Sequence, residues 1–455
     1  MSSQQEEKGS LMYRLGDTFA GFVRNFFPDA LVFAIALSIV VFVCGLLLTP
    51  SGPFDMVVHW GNGVWDILAF SMQVASTLVL SHIVANTRQV SAILNRIASI
   101  PKTPSGAVMM ACVVTMICSL LSWGFGLIMG AIFARAVARN VKGIDYGFLV
   151  ACAYIGFMIW HAGLSGSIPL LLATQGGVTY NILGHVIPIT YTTLSPLNIT
   201  LTIFFLITLP FVVRFMLPPA SKVKEIDPAL LEETSVEIKM PENPTVAQRM
   251  EYGRFFSTLL GVVFAIWLVQ HFANRGLAGI DLNSVNLTFF TVGLLLVSSP
   301  MEYVHRTRIA AAGAGNLMVQ FPLYAGIMGM SVGSGLADVF SNFFISFATA
   351  ETLPNFIHLS SSFLNMFIPS AGGKFVVEAP IYLPAAEALG ANVNYVAVAA
   401  LWGDGLTNLI QPFWALPLLA IAKLGIRDIM GYCMVATIYG LIFQQIFIYV
   451  FSVLL

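Results

Sequence analysis

Charged side chains are scarce in this chain. Lys and Arg account for 21 of the 455 residues and Asp and Glu for 22, which together make only 9%. A soluble domain carries about 25% charged residues, so this scarcity excludes an ordinary soluble domain. Hydrophobic residues make up 57% instead. The balance predicts an all-α polytopic membrane protein, whose core packs against itself and against the lipid bilayer.

Cysteine is rare too, and neither sign of charge is in excess. The formal net charge of -1 indicates no particular partner, and nucleic acid is not expected as one. The number of cysteines is odd and their spacing fits no metal framework, so we expect them to be packing residues and expect no cofactor. The five, all in apolar segments, are Cys44, Cys112, Cys118, Cys152 and Cys433.

The amino-terminal residues lack the features of a secretory signal. MSSQQEEKGS is polar and mixed in charge, without a basic start, a short apolar core or a small-residue cleavage site. We therefore expect the first apolar run to be retained as a membrane span. A span requires roughly 20 apolar residues. The predicted spans are 30–49, 67–86, 147–172, 197–216, 254–273, 286–304, 315–335, 392–422 and 430–453.

Two further apolar stretches do not fit the template of a full span. Residues 105–136 and 355–388 each contain two apolar pieces that are too short to cross comfortably, joined by a tip with glycine or proline. We interpret both stretches as re-entrant hairpins. The predicted architecture therefore has about nine transmembrane helices and two hairpins.

The basic residues indicate the orientation. With the amino terminus in the cytoplasm, every Lys and Arg except Arg275 and Lys374 falls on the cytoplasmic side, as the positive-inside rule requires. The first hairpin then enters from the cytoplasm and the second from outside, which makes the two halves inverted repeats. The predicted parts are an interfacial amino-terminal segment 1–28, a first repeat 29–216, a cytoplasmic linker 217–253, and residues 254–455 with the linking span and second repeat.

A short phrase occurs once in each half. Trp160-His161-Ala162-Gly163-Leu164-Ser165 returns in altered form as Trp402-Gly403-Asp404-Gly405-Leu406-Thr407. Each copy interrupts an apolar segment and is followed by a proline, Pro169 or Pro412. We expect a broken membrane helix in each half, from His161 to Ser167 and from Asp404 to Gln411. Broken helices in related halves are typical of secondary transporters.

The two hairpin tips and the two breaks supply the candidate substrate site. Glycine allows a ligand to approach the backbone closely, amides at half-helix starts attract a carboxylate, and free carbonyls attract a cation. A packing role for small residues is the alternative at any single position. The candidates are Ser122, Trp123, Gly124, Gly126, His161, Gly163, Ser165, Ser167, Asn365, Ser370, Gly372, Gly373, Lys374, Asp404, Thr407, Asn408 and Gln411.

Lys374 is the most informative candidate, because a charge inside the membrane is costly and commonly functional. Its partner is either a substrate carboxylate or Asp404, and Glu378 lies four residues further on the same helix. Asp404, with Asn365, Thr407 and Asn408, is also the candidate site for a coupling ion, either proton or sodium. His161 either moves a proton or is satisfied by a backbone carbonyl.

Two other functional classes remain open at this point. Gly163-Leu164-Ser165-Gly166 matches the GxSG pattern of an intramembrane serine protease, but no histidine is paired with Ser165 by its position in the sequence. A channel would need a continuous polar pore, whereas the polar residues here cluster at two breaks. Neither class explains why the pattern occurs in both halves.

Several motifs resemble those of a known family. PSAGGKFVVEAPIYLPAAEALG at 369–390 and GDGLTNLIQPFWALPLLAIA at 403–422 resemble signatures of the bacterial short-chain fatty acid transporter family, and 123–139 and 151–174 resemble its first-half segments. The GD-x-x-TN pattern at 403–408 is also similar to that of aminobenzoyl-glutamate-type carriers in the wider ion-transporter superfamily. The similarity extends over nearly the whole chain.

The resemblance implies uptake of butyrate- or acetoacetate-like monocarboxylates across the bacterial inner membrane by cation symport. It also implies a homodimeric elevator, in which 105–172 and 355–422 move against a scaffold that includes 30–86 and 254–335. Ala371 and His161 both stand where the family pattern has glycine. A carrier for a dicarboxylate or an amino acid is the alternative.

The composition of the candidate site favours a monoanion. It contains one lysine and no arginine, whereas firm recognition of carboxylates commonly uses bidentate arginine. Four apolar neighbours suit a short alkyl tail: Phe125, Met366, Phe367 and Phe413.

Overall fold

The computed structural model describes residues 10–26, 28–173, 178–227, 240–279 and 282–454. Within these ranges the chain forms helices and connecting turns, and no strand. The predicted all-α class of membrane protein is confirmed.

The first half contains eleven α-helices and three short 3₁₀ segments among the described residues. The helices are α1 Leu11–Phe26, α2 Ala30–Leu48, α3 Pro53–Gly63, α4 Leu68–Ala85, α5 Arg88–Ala98, α6 Pro104–Leu121, α7 Trp123–Asn140, α8 Tyr146–Gly156, α9 Ser167–Leu172, α10 Val178–Leu183 and α11 Pro196–Phe215. The 3₁₀ segments are Phe157–Ala162, Ile189–Tyr191 and Ala220–Lys222.

The second half follows a similar plan over the residues that are described. Its helices are α12 Val246–Tyr252, α13 Phe255–Arg275, α14 Leu282–Leu296, α15 Pro300–Ala311, α16 Gly315–Gly333, α17 Leu336–Ile345, α18 Leu353–Leu364, α19 Ala371–Leu389, α20 Val393–Thr407, α21 Pro412–Ala422 and α22 Ile426–Leu454. Its 3₁₀ segments are Gly276–Gly279, Ala312–Ala314 and Asn408–Ile410.

Fewer helices than the nine predicted spans meet the length and apolarity of a full membrane span. The described residues contain 6 such helices, or up to 8 if two bent helix pairs each count as one span. The predicted span 286–304 is interrupted, because Ser299 caps a new helix that begins at Pro300. The apolar part of α4, Ser71–Ala85, is shorter than a full span.

The first hairpin also differs from its prediction. α6 has 18 residues and is long and apolar enough to cross the membrane alone, so the expectation of two short pieces is wrong for this arm. Ser122 is the single residue between α6 and α7, which pack together. In the second hairpin, residues 365–370 join α18 to α19.

Corresponding helices of the two halves make corresponding contacts. α2 and α3 pack on α16, while α14 and α15 pack on α4. Likewise α5 packs on hairpin arm α7 and α17 on hairpin arm α19. These equivalent contacts support an organisation in two related halves. The inversion of one half relative to the other across the membrane stays a prediction.

The cytoplasmic segments predicted at 1–28 and 217–253 make specific contacts where they are described. α1 packs along α22, and Val23 of α1 is fully buried. The Lys222 ammonium forms an ion pair of 3.0 Å with Asp17 of α1. Burial and charge therefore attach the amino-terminal helix to the protein. The rest of these segments, 1–9, 27 and 228–239, lies outside the described residues.

The two broken spans lie at the centre of the molecule. Most residues of the stretch Tyr146–Leu172 are buried, and nearly every side chain of α20 and α21 is buried as well. α6 and α7 cover one broken span, and α18 covers the other. This arrangement brings the two hairpin tips to the two breaks.

Candidate functional site

The helix breaks differ in the two halves. In the first, a 3₁₀ segment ends at Ala162, and four residues without regular helix separate it from α9 at Ser167. In the second, α20 continues through Asp404 to Thr407 and the break comes at residues 408–411. The expectation that this break begins at Asp404 is therefore wrong. Pro412 restarts the helix at a position where its missing N–H is not needed.

The first hairpin tip binds the first break. The Trp123 N–H donates to Ser165 Oγ at 2.9 Å, and the Leu164 N–H donates to the Leu120 carbonyl at 2.8 Å. These bonds satisfy backbone donors that the hairpin turn and the break leave without helical partners. Ser165 is therefore part of the contact between tip and break.

The second hairpin tip binds the second break through one amide. Asn365 Nδ2 has three acceptors for its two N–H groups: the Asp404 carbonyl at 2.9 Å, Thr407 Oγ1 at 3.0 Å and Asn408 Oδ1 at 2.7 Å. The Thr407 hydroxyl in turn donates to the Ser362 carbonyl at 2.9 Å. Ser370 caps α19 by accepting from the Gly373 N–H at 3.3 Å. The predicted pairing of each tip with its break is thus present in both halves.

A cluster of charged residues lies beside the second tip. Lys374 Nζ is 2.9 Å from Asp404 Oδ1, and both side chains are 0% exposed. The same ammonium donates to the carbonyl and hydroxyl of Ser361 at 2.9 and 2.5 Å. Glu378 Oε2 lies 3.7 Å away. Of the two partners expected for Lys374, Asp404 is the one it has in this structure.

His161 connects this cluster to the first half. Its Nδ1 lies 3.0 Å from Asp404 Oδ2, and its Nε2 accepts the Ile168 N–H at 3.1 Å. Because Nε2 is an acceptor, the proton of the neutral ring is on Nδ1 and is donated to Asp404. The expectation of a carbonyl partner is wrong. The ring stacks on Trp160 at 4.2 Å between centroids, which fixes its orientation.

Three buried amide groups at the second tip and the second break are incompletely bonded. Asn365 Oδ1, Gln411 Oε1 and Asn408 Nδ2 are enclosed without a hydrogen-bond partner among the described residues. Gln411 Nε2 donates to Asn408 Oδ1 at 3.0 Å, which fixes how these two amides are oriented. Leaving such groups unsatisfied costs about 1–3 kcal/mol each, so two acceptors and one donor are available to a ligand.

The candidate glycines have different surroundings. A Cβ atom on Gly126 or Gly163 would overlap Ser119 or the Leu120 backbone, so these two glycines permit close helix packing. At Gly372 the nearest atom would be Leu171 Cδ1 at 3.5 Å, an ordinary contact, and Ser167 Cβ would be at 4.0 Å. At Gly373, Ser370 Oγ would be at 3.1 Å. The second tip is therefore the more open of the two and faces the start of α9.

Aromatic side chains surround the first tip. Trp123 packs edge-on against Trp414 at 5.0 Å between centroids. Trp414 Nε1 donates to the Pro369 carbonyl of the second tip at 3.0 Å. Trp123 and Gly124 also line a cavity of about 10 Å³ against α4 and α21. These rings thus connect the first tip, the second tip and the second break.

The residues proposed for an alkyl tail lie where the hairpins and breaks meet other helices. Phe413 stacks on Phe321 of α16 at 4.5 Å between centroids. Phe125 packs on Phe289 of α14 at 6.1 Å, and Phe367 lies near Phe340 of α17 at 5.9 Å. Their aromatic neighbours come from helices that the sequence analysis placed outside the candidate site.

Four residues of the site were missed by the sequence reasoning. Ser361 and Ser362 contact Lys374 and Thr407, as described above, and the Tyr154 hydroxyl donates to the Asn408 carbonyl at 2.5 Å. Asn198 of α11 donates to the Ala162 carbonyl at 3.0 Å and accepts from Trp402 Nε1 at 2.8 Å. The available signal was a serine triplet at 360–362 and a single asparagine, both inside apolar helices.

The geometry does not favour a serine protease. Ser165 Oγ accepts the Trp123 N–H, while His161 is engaged by Asp404 and the Ile168 N–H. A nucleophilic serine would need a base within hydrogen-bond reach, and His161 instead joins the two halves.

Comparisons with known proteins agree with the resemblance in the motifs. A family model described as "Short chain fatty acid transporter" matches residues 11–454. A protein of Escherichia coli (strain K12), provisionally named a short-chain fatty acid transporter, is 42% identical over 432 residues, covering 94% of this chain and 98% of the relative. A protein of the same provisional name from Haemophilus influenzae is 40% identical over 436 residues, covering 94% and 97%.

Two solved transporter structures are more distant. The YdaH transporter of Alcanivorax borkumensis is 12% identical, with a TM-score of 0.43 over 93% of this chain and 98% of its own. MtrF of Neisseria gonorrhoeae, described as one of a class of antimetabolite efflux pumps, is 12% identical, with a TM-score of 0.36 over 96% and 98%. Both scores are below 0.5, so only the family match and the two sequence relatives support the assignment.

Proposed function

The chain belongs to the short-chain fatty acid transporter family, and from this premise we propose that it is a cation-coupled symporter of short monocarboxylates such as butyrate or acetoacetate. It is a multi-pass transporter of the bacterial inner membrane and not an enzyme. The substrate, the coupling and the mechanism of movement are the proposed parts.

The buried Lys374–Asp404 pair carries the proposal. Lys374 is the one Lys or Arg side chain among the tip and break residues, and it is completely buried. A buried ammonium must keep an anionic partner. A substrate carboxylate therefore binds most easily by sharing with Asp404 the neutralisation of the Lys374 ammonium. One cation suits one carboxylate, which supports a monoanion over a dicarboxylate.

The unsatisfied amides supply the remaining contacts. We place the substrate carboxylate within reach of Asn408 Nδ2 and the open second tip at Ser370, Gly372 and Gly373. The Thr407 hydroxyl can donate to it only by giving up its bond to the Ser362 carbonyl. The orphan oxygens Asn365 Oδ1 and Gln411 Oε1 are of the type that hard cations prefer, so they suit sodium. If the coupling ion is a proton instead, a carboxyl of the charged cluster accepts it.

An elevator is the proposed movement. The hairpins and broken spans are bonded to one another through Trp123–Ser165, Asn365–Thr407 and His161–Asp404. Such a bonded block moves most easily as one body against the scaffold. Its contact with the scaffold includes the Phe413–Phe321 stack. A homodimer formed through the scaffold belongs to the same proposal.

Uptake of labelled butyrate into proteoliposomes tests the function. Inward proton and sodium gradients are imposed separately, and protein-free vesicles give the leak of the neutral acid. We expect concentrative uptake under one gradient, blocked by acetoacetate and unaffected by succinate or glutamate. Uptake no faster than in protein-free vesicles, or inhibition by succinate or glutamate, would contradict a monocarboxylate carrier. Counterflow, which a carrier shows and a channel does not, completes the test.

A further inference from the structure

The charged cluster contains one more acidic than basic group. Lys374 contributes one positive charge, whereas Asp404 and Glu378 contribute two carboxyl groups. The side chains are 0% exposed for Lys374 and Asp404 and 3% for Glu378. His161 does not restore the balance, because its Nε2 accepts the Ile168 N–H and the ring is therefore neutral. An unbalanced buried charge is very costly, so one carboxyl group binds a proton.

The contacts identify the carboxyl group that holds this proton. Asp404 has the Lys374 ammonium at 2.9 Å on one oxygen and the His161 Nδ1–H at 3.0 Å on the other. The first contact is an ion pair and the second a hydrogen bond, and both stabilise an ionised carboxylate. Glu378 Oε2 lies 3.7 Å from Lys374, beyond hydrogen-bond distance, and 3.2 Å from Ser361 Oγ, whose single proton is closer to the Ala400 carbonyl at 2.9 Å. Glu378 is the more weakly stabilised anion of the two.

The other titratable groups on the helices that pack against α19 do not compete for this role. His358 of α18 donates from Nε2 to Gln444 Oε1 at 2.6 Å and accepts at Nδ1 from Gln445 Nε2 at 2.8 Å, so it is neutral. Asp338 of α17 and Tyr180 of α10 are exposed. Tyr395 of α20 lies nine residues before Asp404 and packs against Phe451. α9 has no titratable side chain. Tyr382, one turn beyond Glu378, has a buried hydroxyl without a hydrogen-bond partner among the described residues.

We propose that Glu378 is the binding site of the coupling proton, and that its proton controls how well the anion binds beside Lys374. With Glu378 protonated, Asp404 alone balances Lys374, and the cluster is neutral. When Glu378 loses its proton, Lys374 is shared between two carboxylates and the cluster carries a net negative charge. That charge repels the substrate carboxylate, so anion affinity falls as the pH rises.

The linkage is reciprocal. If the proton on Glu378 strengthens anion binding, the bound anion strengthens proton binding by the same factor. If only the fully loaded and the empty block cross the membrane, proton and anion move together, which is symport. This inference depends on the proposed function, because it needs an anion to bind near Lys374.

The pH dependence of butyrate binding to the full-length purified protein tests the proposal. In wild type we expect the dissociation constant for butyrate to rise by up to ~tenfold for each pH unit, since one proton is linked to one anion. Glu378→Gln mimics the protonated side chain, so its dissociation constant should stay low and independent of pH. Glu387→Gln, an exposed position on the same helix, is the matched control and should behave as wild type.

Transport gives a second readout. Glu378→Gln should retain butyrate counterflow at equal pH on both sides and lose accumulation driven by a proton gradient. If Glu378→Gln keeps the wild-type dependence of butyrate affinity on pH, or keeps proton-driven accumulation, the assignment of Glu378 is overturned. The proposed function as a butyrate transporter is not affected by that result. Wild type that fails to bind butyrate at any pH overturns the proposed function instead, and the inference with it.

Infrared spectroscopy of wild type tests the proposal without any variant. A protonated carboxyl band should disappear over the pH range in which butyrate affinity falls. Its absence at every pH at which butyrate binds overturns the proposal even if Glu378→Gln does not fold.

Discussion

Lys374 and Asp404 form an ion pair of 2.9 Å between the second hairpin and the half-helix before the second break, and neither side chain is exposed. His161 of the first half contacts this pair, because its Nδ1 lies 3.0 Å from Asp404 Oδ2. The pair therefore has two roles to separate, one in stability and one in anion binding.

The first prediction separates these roles with a double variant. Lys374→Gln leaves Asp404 as an unpaired buried charge and should lower the free energy of unfolding by about 3–5 kcal/mol. Adding Asp404→Asn removes that charge and should recover most of the lost stability. Butyrate binding should stay lost in both, because neither contains the ammonium. Thermal unfolding and equilibrium binding of the two proteins measure the effects, and recovery of butyrate affinity in the double variant would remove Lys374 from the site.

His161 gives the second prediction. His161→Ala removes the acceptor of the Ile168 N–H and a donor to Asp404, each in a buried position. Unsatisfied buried groups cost about 1–3 kcal/mol each, so the variant should unfold at a clearly lower temperature than wild type. His185→Ala is the control, because His185 is exposed. Equal unfolding temperatures for the two variants would show that His161 does not hold the halves together.

The third prediction compares two glycines. A Cβ on Gly163 would lie 2.5 Å from Leu120 Cα, and backbone cannot easily retreat, so Gly163→Ala should cost about 1–3 kcal/mol of stability. Gly372→Ala meets only an ordinary 3.5 Å contact and should fold as wild type. If the second tip contacts the substrate, Gly372→Ala should nevertheless raise the dissociation constant of butyrate several-fold. Normal butyrate affinity in Gly372→Ala would place the anion elsewhere.

These positions show what the sequence could predict and what it could not. The apolar composition, the glycine-bearing tips and the duplicated phrase were sufficient for the class of fold and for the meeting of each tip with its break. The second break was placed too early, because Gly403 and Gly405 indicate an interruption that α20 does not have. Gly403 serves helix packing instead. A Cβ there would overlap the His358 carbonyl oxygen, so glycine allows α20 to lie close to α18.

Contacts between the halves were harder to predict. His161 and Asp404 are 243 residues apart in the chain, and nothing in the local pattern around either residue specifies that they meet. Ser361 gave no more signal than a serine within an apolar helix, although it donates to or accepts from several groups of the cluster. Such contacts depend on how distant helices cross in the fold. The hydrophobic periodicity of a single sequence identifies helices but does not indicate where they cross.

The last prediction concerns movement. Phe413, in the proposed moving block, stacks on Phe321 of the scaffold at 4.5 Å between centroids, while Phe264 and Phe290 are 5.4 Å apart within the scaffold. Cysteines are introduced at each pair in a chain whose five native cysteines are replaced by alanine, and each pair is joined with a bifunctional thiol reagent. An elevator must break the first contact during transport and keep the second. Cross-linking Phe321→Cys to Phe413→Cys should therefore abolish butyrate uptake, and cleaving the link should restore it. Cross-linking Phe264→Cys to Phe290→Cys should leave uptake nearly unchanged. Full uptake with the first link intact would mean that the substrate crosses without movement of the block past α16.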